Sequence, residues 1–372
     1  MSKLFKYAFS DLYDISSGIS STKDQAGHGT PFASFRTVFN NIFLPDKLPD
    51  LMEVSEKEQK IYSIKKGDIL ITRTSETVDE LAMSCVALKD YPQATYSGFV
   101  KRLRPKTEGI VYDRFMAFFL RSKYFRKVIE CNTIMTLRAS FNEDIFSFLD
   151  LYLPDYETQK RIGDLLYHME RKRENNAQIN DNLQQMAHMT FMHCFWGKPT
   201  NGTIGEILIE HEKSPIQVGQ AKNTVGSYPF FTSGDAVLRW KSSLIDGRNI
   251  FMNTGGNAGV KFYVGKAAYS TDTWCVSARD GLSDYLYLFL DSIKPELSQK
   301  FFQGTGLKHL QKPILKNRPM YIPSIDELEV FNHSVIPWLT LVSDNIRESE
   351  RLAALRDWLL PMLMNGQATI ED

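Results

Sequence analysis

Three groupings in this sequence are of types that do chemistry. Pro45-Asp46 followed by Glu58-Gln59-Lys60, and Pro154-Asp155 followed by Glu170-Arg171-Lys172, set carboxylates and a lysine in the order used by magnesium-dependent nucleases. The pattern is short enough to arise by chance, and its second copy falls on a long helix with no pocket around it. His188, His193 and Cys194 are metal-ligating types, but their spacing matches no familiar tetrahedral site and reads as a helix surface. Asn253-Thr254-Gly255-Gly256-Asn257-Ala258-Gly259 is glycine-rich enough to wrap a phosphate. It lacks the Gly-Lys-[Ser/Thr] ending of a nucleotide loop and precedes a strand rather than a helix, so it reads as a tight inter-strand loop. G-x-S-x-G, H-E-x-x-H and G-x-G-x-x-G are absent as well. The expectation is a chain that catalyses nothing by itself and holds no metal.

A different chemistry is offered by Thr72-Arg73-Thr74-Ser75, where a strand ends in hydroxyls and a guanidinium able to reach base edges and phosphates. Lys+Arg and Asp+Glu both total 44, so bulk charge holds no polyanion to this chain. The charge is nevertheless uneven. From Tyr96 to Phe141 there are ten bases (Lys101, Arg102, Arg104, Lys106, Arg114, Arg121, Lys123, Arg126, Lys127, Arg138) against three acids. From Lys300 to Arg318 there are five bases (Lys300, Lys308, Lys312, Lys316, Arg318) and no acid. Two basic regions held apart by a rigid spacer suit one long polyanion better than two small ligands, the other reading being ordinary solvated helix faces.

The elements that position these residues are duplicated. Leu151-Tyr-Leu-Pro154 matches Met320-Tyr-Ile-Pro323 at an offset of 169, and the same offset pairs Ile162 with Phe331, Asn176 with Asn345, Leu183 with Leu352, and Phe141 with Leu310. Further upstream the offset changes: Tyr96-Ser97 answers Tyr269-Ser270, Asp68–Ile71 answers Asn249–Met252, and Pro31-Phe32 answers Pro229-Phe230. Each unit therefore predicts a mixed α/β domain followed by one long helix. The first helix spans Asp155 to about Phe195, with an apolar seam of Ile162, Leu165, Met169, Ile179, Leu183 and Met186. Its twin, from about Ile325 to Asn365, carries Val342, Ile346, Leu352 and Leu355 on the seam, with Pro337 marking a kink or a late start. Narrow apolar stripes of this length predict that the two helices pair antiparallel around an approximate two-fold axis; Asn176 and Asn345, at equivalent seam positions, read either as fixing the register or as two solvated polar residues.

Length and composition agree with two domains. The chain has 372 residues, 43% hydrophobic and 24% charged, which excludes disordered and collagenous classes. No run approaches the roughly 18 apolar residues of a membrane helix. The first ten residues lack the unbroken apolar stretch of a signal peptide, so a cytoplasmic location without membrane contact is expected. Cys85, Cys131, Cys194 and Cys275 form no C-x-x-C pair and read as reduced packing residues.

The sequence as a whole resembles the specificity subunit of type I restriction-modification systems. The resemblance rests on Gly67-Asp-Ile-Leu-Ile-Thr-Arg-Thr74 with Tyr96-Ser97 downstream. It rests also on Leu153-Pro154 and Ile322-Pro323 leading into the two long helices, and on Leu359-Leu-Pro-Met-Leu-Met-Asn-Gly366 at the end of the second. It implies an α+β tandem: target recognition domains at 1–150 and 198–320, with spacer helices at 151–197 and 321–372. Each domain would read one half of a split, asymmetric target in double-stranded DNA. The helices would set the distance between half-sites and dock two modification subunits, which carry S-adenosylmethionine and methylate adenine. A motor-nuclease subunit would complete the complex. The DNA contacts expected in the first domain are Thr72, Arg73, Thr74, Ser75, Tyr96, Ser97, Lys101, Arg102 and Arg138. In the second they are Asn253, Thr254, Asn257, Lys261, Thr271, Thr305 and Lys308. Zero net charge adds the expectation that the chain alone binds DNA weakly. The alternative readings are a coiled-coil scaffold that binds proteins, and a nuclease using one of the carboxylate patterns.

Overall fold

The computed structural model describes residues 3–77, 80–132, 139–222, 224–304, 306, 308–368 and 370. It divides into two compact units, Met1–Lys172 with Arg351–Asp372, and Arg173–Glu350. The dividing points fall inside the long helices, so each unit contains one mixed domain and part of both helices.

In the first unit the apolar segments form β1 (Tyr13–Ser17), β2 (Ala26–Ala33), β3 (Asp50–Met52), β4 (Ile69–Thr72), β5 (Ser84–Val86), β6 (Thr95–Tyr96) and β7 (Val100–Pro105). An antiparallel sheet has the order β1-β7-β4-β5, and a smaller sheet has the order β3-β2-β6 with β2 and β6 parallel. Strand β4 reads as an unbroken apolar run because all four of its residues are buried. It packs with helix α1 (Asp113–Phe119), whose Phe115, Met116, Phe118 and Phe119 enter the same core. Each such side chain contributes roughly 1.5–3 kcal/mol by leaving water.

Helix α2 (Tyr156–Phe195) starts where Asp155 caps it: the carboxylate accepts the Thr158 amide at 3.0 Å and the Thr158 hydroxyl at 2.8 Å. Accepting that amide holds Asp155 below the usual carboxylate range. Gly163, the one glycine in the helix, sits where α1 comes close: a Cβ there would lie 2.6 Å from the Phe115 nitrogen.

The second unit repeats the topology strand for strand. Its elements are β8 (Leu208–Glu210), β9 (Tyr228–Phe231), β10 (Val237–Trp240), β11 (Arg248–Asn253), β12 (Val260–Val264), β13 (Ala268–Tyr269) and β14 (Thr273–Ala278). The sheet orders are β8-β14-β11-β12 and β10-β9-β13, again with one parallel pair, β9 with β13. Helix α3 (Ser283–Ser292) takes the place of α1, burying Tyr285, Leu286 and Phe289. Helix α4 (Ile325–Met364) begins with Ser324 and Glu327 bonded to each other's backbone amides. It runs unbroken through Pro337, so that proline does not mark a late start.

The long helices pair antiparallel within each unit. In the first, Arg356 bonds Glu170 at 2.8 Å. In the second, the buried Asn176 donates to Glu348 at 2.7 Å and to Ser349 at 3.3 Å, and Asn345 donates to the side chain of Asn180 at 2.8 Å. The seam follows Ile162, Leu166, Met169, Asn176, Asn180, Leu183 and Ala187 on α2. On α4 it follows Val342, Asn345, Ile346, Leu352, Leu359 and Leu363. Three residues expected on the seam are not there: Ile179, Met186 and Leu355 are exposed. On α2 each misplaced residue precedes a true seam position, Asn180 or Ala187, and one residue turns a helix by about 100°. Apolar character alone picked the larger neighbour, while asparagine and alanine fill the seam.

Candidate nucleic-acid interface

The two strand-end segments expected to carry contacts occupy equivalent places in the two units. In the first, β4 ends at Thr72, which is fully buried and whose hydroxyl accepts the Met83 amide at 2.9 Å. Arg73 then leaves the sheet: its amide donates to the Phe99 carbonyl at 2.8 Å and its carbonyl accepts the Phe141 amide at 2.8 Å. Its side chain is exposed, and no hydrogen bond or ion pair engages it among the described residues. Thr74 and Ser75 continue as a short strand against Ala139-Ser140, half-buried.

In the second unit β11 ends at Asn253, nearly buried, with its side-chain amide donating to the Asn257 carbonyl at 3.0 Å. A Cβ on Gly259 would lie 2.5 Å from that amide nitrogen, so this glycine is needed for the turn. The glycine-rich segment is therefore the tight connection between β11 and β12. Thr254 repeats the Arg73 geometry, its amide donating to the Asp272 carbonyl at 3.3 Å and its carbonyl accepting the Leu310 amide at 3.0 Å. Its hydroxyl also donates to the Asp272 carbonyl, at 2.7 Å. Asn257 and Lys308 are exposed beside it, and Thr271 is half-buried.

Several other expected contacts prove to be scaffold. Tyr96 is 0% exposed, shares a 2.8 Å hydrogen bond with the Ser16 hydroxyl and donates to the Ser17 carbonyl; burial pushes its phenol pKa up. The Ser97 hydroxyl turns inward to accept the Phe99 amide at 3.2 Å. Lys101 is buried against Glu143 at 3.3 Å, and Arg102 donates to the Ser63 carbonyl at 2.7 Å. Lys261 caps the Thr232 carbonyl at 2.9 Å and the Gly234 carbonyl, and burial lowers its pKa. Arg138 and Thr305 lie outside the described residues.

The same correction applies to the basic windows. Arg104 forms a two-bond pair with the buried Asp68 at 2.6 and 2.7 Å, and Arg114 pairs with Asp164 at 2.7 Å. Arg121 donates to the carbonyls of Ser84, Val38, Phe39 and Asn41, while Arg126 caps those of Leu81 and Ala82. Burial lowers the Arg126 guanidinium to about 10. In the second window Lys312 and Lys316 both hold Glu210, and Lys300 and Arg318 both hold Glu296. Sequence counts charges but not their partners, and much of the apparent surplus is spent on backbone carbonyls and carboxylates. Lys123 and Lys127 stay exposed in the first window, and in both units the strand-end loops carry exposed residues free to address a ligand. Phe99 and Asp272, in the turns beside these strand ends, are exposed as well; neither was singled out in the sequence, Phe99 being apolar and Asp272 acidic.

The carboxylate patterns also resolve into structure. Asp46 pairs with Lys89 at 2.8 Å, Glu58 caps a helix through Ser55, and Asp155 caps α2. Among the described residues no group of three or more His, Cys, Asp or Glu is placed to hold a metal.

Residues 6–185 and 196–333 match the family described as the type I restriction modification DNA specificity domain, once for each unit. The chain belongs to the family of type I restriction-modification DNA specificity subunits. It is similar to the HindI specificity subunit of Haemophilus influenzae, 30% identical over 189 residues, half of this chain and 39% of that protein. It is also similar to the MjaIX specificity subunit of Methanocaldococcus jannaschii, 21% identical across 87% of this chain and 82% of that one. The match thus spans about two fifths of the Haemophilus subunit. A crystal structure of the S subunit from M. genitalium shares the fold, with a TM-score of 0.68 over 97% of this chain and 96% of that one, at 13% identity. For this specificity chain the family excludes neither partner proteins nor DNA, but it disfavours the scaffold reading without DNA specificity. No helix among the described residues is long and apolar enough to cross a membrane.

Proposed function

We infer that each unit of this specificity chain reads one half of a split, asymmetric target in double-stranded DNA through its strand-end loops. One observation carries the reading: Arg73 and Thr254 are held by matching backbone hydrogen bonds in matching folds, yet their side chains and those of their neighbours differ. A duplicated scaffold with divergent loop side chains is what two readers of different sequences require. Arg73, Thr74, Ser75, Thr254, Asn257, Thr271 and Lys308 are the contacts retained.

The chain supplies recognition and no catalysis, acting in the cytoplasm with two modification subunits that hold S-adenosylmethionine and methylate adenine, and with motor-nuclease subunits. Two features of the long helices support paired docking. Met186 and Met189 on α2, at 46% and 69% exposure, recur 169 positions later as Leu355 and Trp358 on α4, at 42% and 64%. Apolar side chains three apart lie on one helix face, and twin outward patches suit two copies of one partner.

The test is to purify the chain with its modification subunit and map the methylated adenines. A bipartite sequence is expected, with half-site centres on the order of one DNA turn apart and affinity falling steeply with salt. Absence of sequence-selective binding and methylation overturns the reading, and magnesium-dependent cleavage by the chain alone would favour the nuclease instead. The ruler role has its own check. Inserting seven residues into both α2 and α4 adds about 10 Å of helix, so the preferred spacer should grow by roughly three base pairs. An unchanged spacer contradicts it.

A further inference from the structure

One position on this scaffold is built identically in both units and filled by opposite chemistry. In the first unit the turn Ser97-Gly98-Phe99-Val100 links β6 to β7; in the second, Ser270-Thr271-Asp272-Thr273 links β13 to β14. The turns are held alike. The Ser97 amide donates to the Ala33 carbonyl at 3.1 Å, and the Ser270 amide to the Phe231 carbonyl at 2.9 Å. The Val100 amide closes on the Ser97 carbonyl at 2.9 Å, and the Thr273 amide on the Ser270 carbonyl at 3.0 Å. The third residue of each turn accepts, through its carbonyl, the amide of the contact residue that ends the central strand, Arg73 or Thr254.

Phe99 and Asp272 are thus rigid in backbone and idle in side chain. The Phe99 ring is 64% exposed beside the exposed Arg73, and Asp272 is exposed beside Thr254. No ring contact, ion pair or side-chain hydrogen bond engages either one among the described residues. Folding does not account for them: an exposed phenyl gains nothing from water, and a carboxylate on a face turned to a polyanion is repelled by phosphate. Both make sense at base edges. Major-groove readout pairs an apolar ring with the 5-methyl of thymine, an arginine with guanine, and a carboxylate with the exocyclic amino group of cytosine.

Building on the half-site reading, we propose that Phe99 and Asp272 are the matched specificity-determining position of the two units, Phe99 contacting a thymine methyl and Asp272 accepting from a cytosine amino group. The test uses the full complex with the modification subunit and the target mapped for the wild-type chain. Phe99→Ala should relax the choice at one base pair of the half-site read by the first unit, by roughly tenfold or more, and leave the other half unchanged. Asp272→Asn should do the converse. Replacing each thymine of the first half-site by uracil should weaken wild-type binding at one position and leave Phe99→Ala indifferent there. Thermal midpoints should match wild type, since both side chains are exposed. If the wild-type target is bipartite and either variant discriminates as before, or loses affinity uniformly on every duplex, this proposal is overturned while the half-site reading stands. If the wild-type complex reads no bipartite target, both fall.

Discussion

Replacing Arg121 with alanine is expected to lower the stability of the first unit by about 3–5 kcal/mol, a fall of roughly 10 °C in Tm. The guanidinium donates to the carbonyl of Ser84 at 2.5 Å and to those of Val38, Phe39 and Asn41 within 2.9 Å, linking β5 to the segment before β3. Burial lowers its pKa, which marks a cation kept by hydrogen bonds rather than by solvent. Removal strands these acceptors where water does not easily replace the fork, and each unsatisfied buried group costs about 1–3 kcal/mol. Chemical denaturation of wild type and variant measures the difference. Arg121 also lies in the sequence's most basic window, so the outcome separates two roles. A residue that touches phosphate would leave Tm unchanged and reduce the slope of log affinity against log salt by about one.

Arg73→Ala should do the reverse. Its side chain is exposed with no partner among the described residues, so Tm should stay at the wild-type value. Its backbone is held at both ends by Phe99 and Phe141, which gives the guanidinium a rigid base from which to address a groove. An arginine bonded to the two acceptors of a guanine contributes about 1–3 kcal/mol of discrimination, so one base pair of the first half-site should lose roughly 10- to 100-fold selectivity. Methylation mapping of the variant complex reads this directly. Equal loss on all sequences, with a shallower salt dependence, would assign Arg73 to phosphate instead.

Residues close in the chain made much of this molecule legible. The offset of 169 residues foretold a duplicated fold, and Phe141 and Leu310, paired by it, do make the same hydrogen bond to Arg73 and Thr254. The absence of helix breakers placed α2 from Asp155 to about Phe195, within a residue of its observed bounds. The seam was harder: Ile179 outweighs Asn180 by hydropathy, but which of two adjacent positions faces the partner helix depends on a helical phase set elsewhere, by Ile162, Leu166, Ala187 and Phe191 in the two cores.

Sequence by itself determined the tandem architecture, the long helices and the strand end near Thr72, because periodicity, freedom from helix breakers and repetition are local or evenly spaced. Tertiary structure alone decided which charges are spent. Arg102, Arg121 and Lys261 look like DNA contacts in a string of letters, yet each fills backbone carbonyls supplied by segments far away in the chain. It also decided which apolar or acidic residues are left over. Phe99 is one phenylalanine among 24 until the turn from β6 to β7 presents it to solvent beside Arg73. A side chain's availability is the remainder after every buried donor and acceptor has found its partner, and that remainder exists only once the chain has folded.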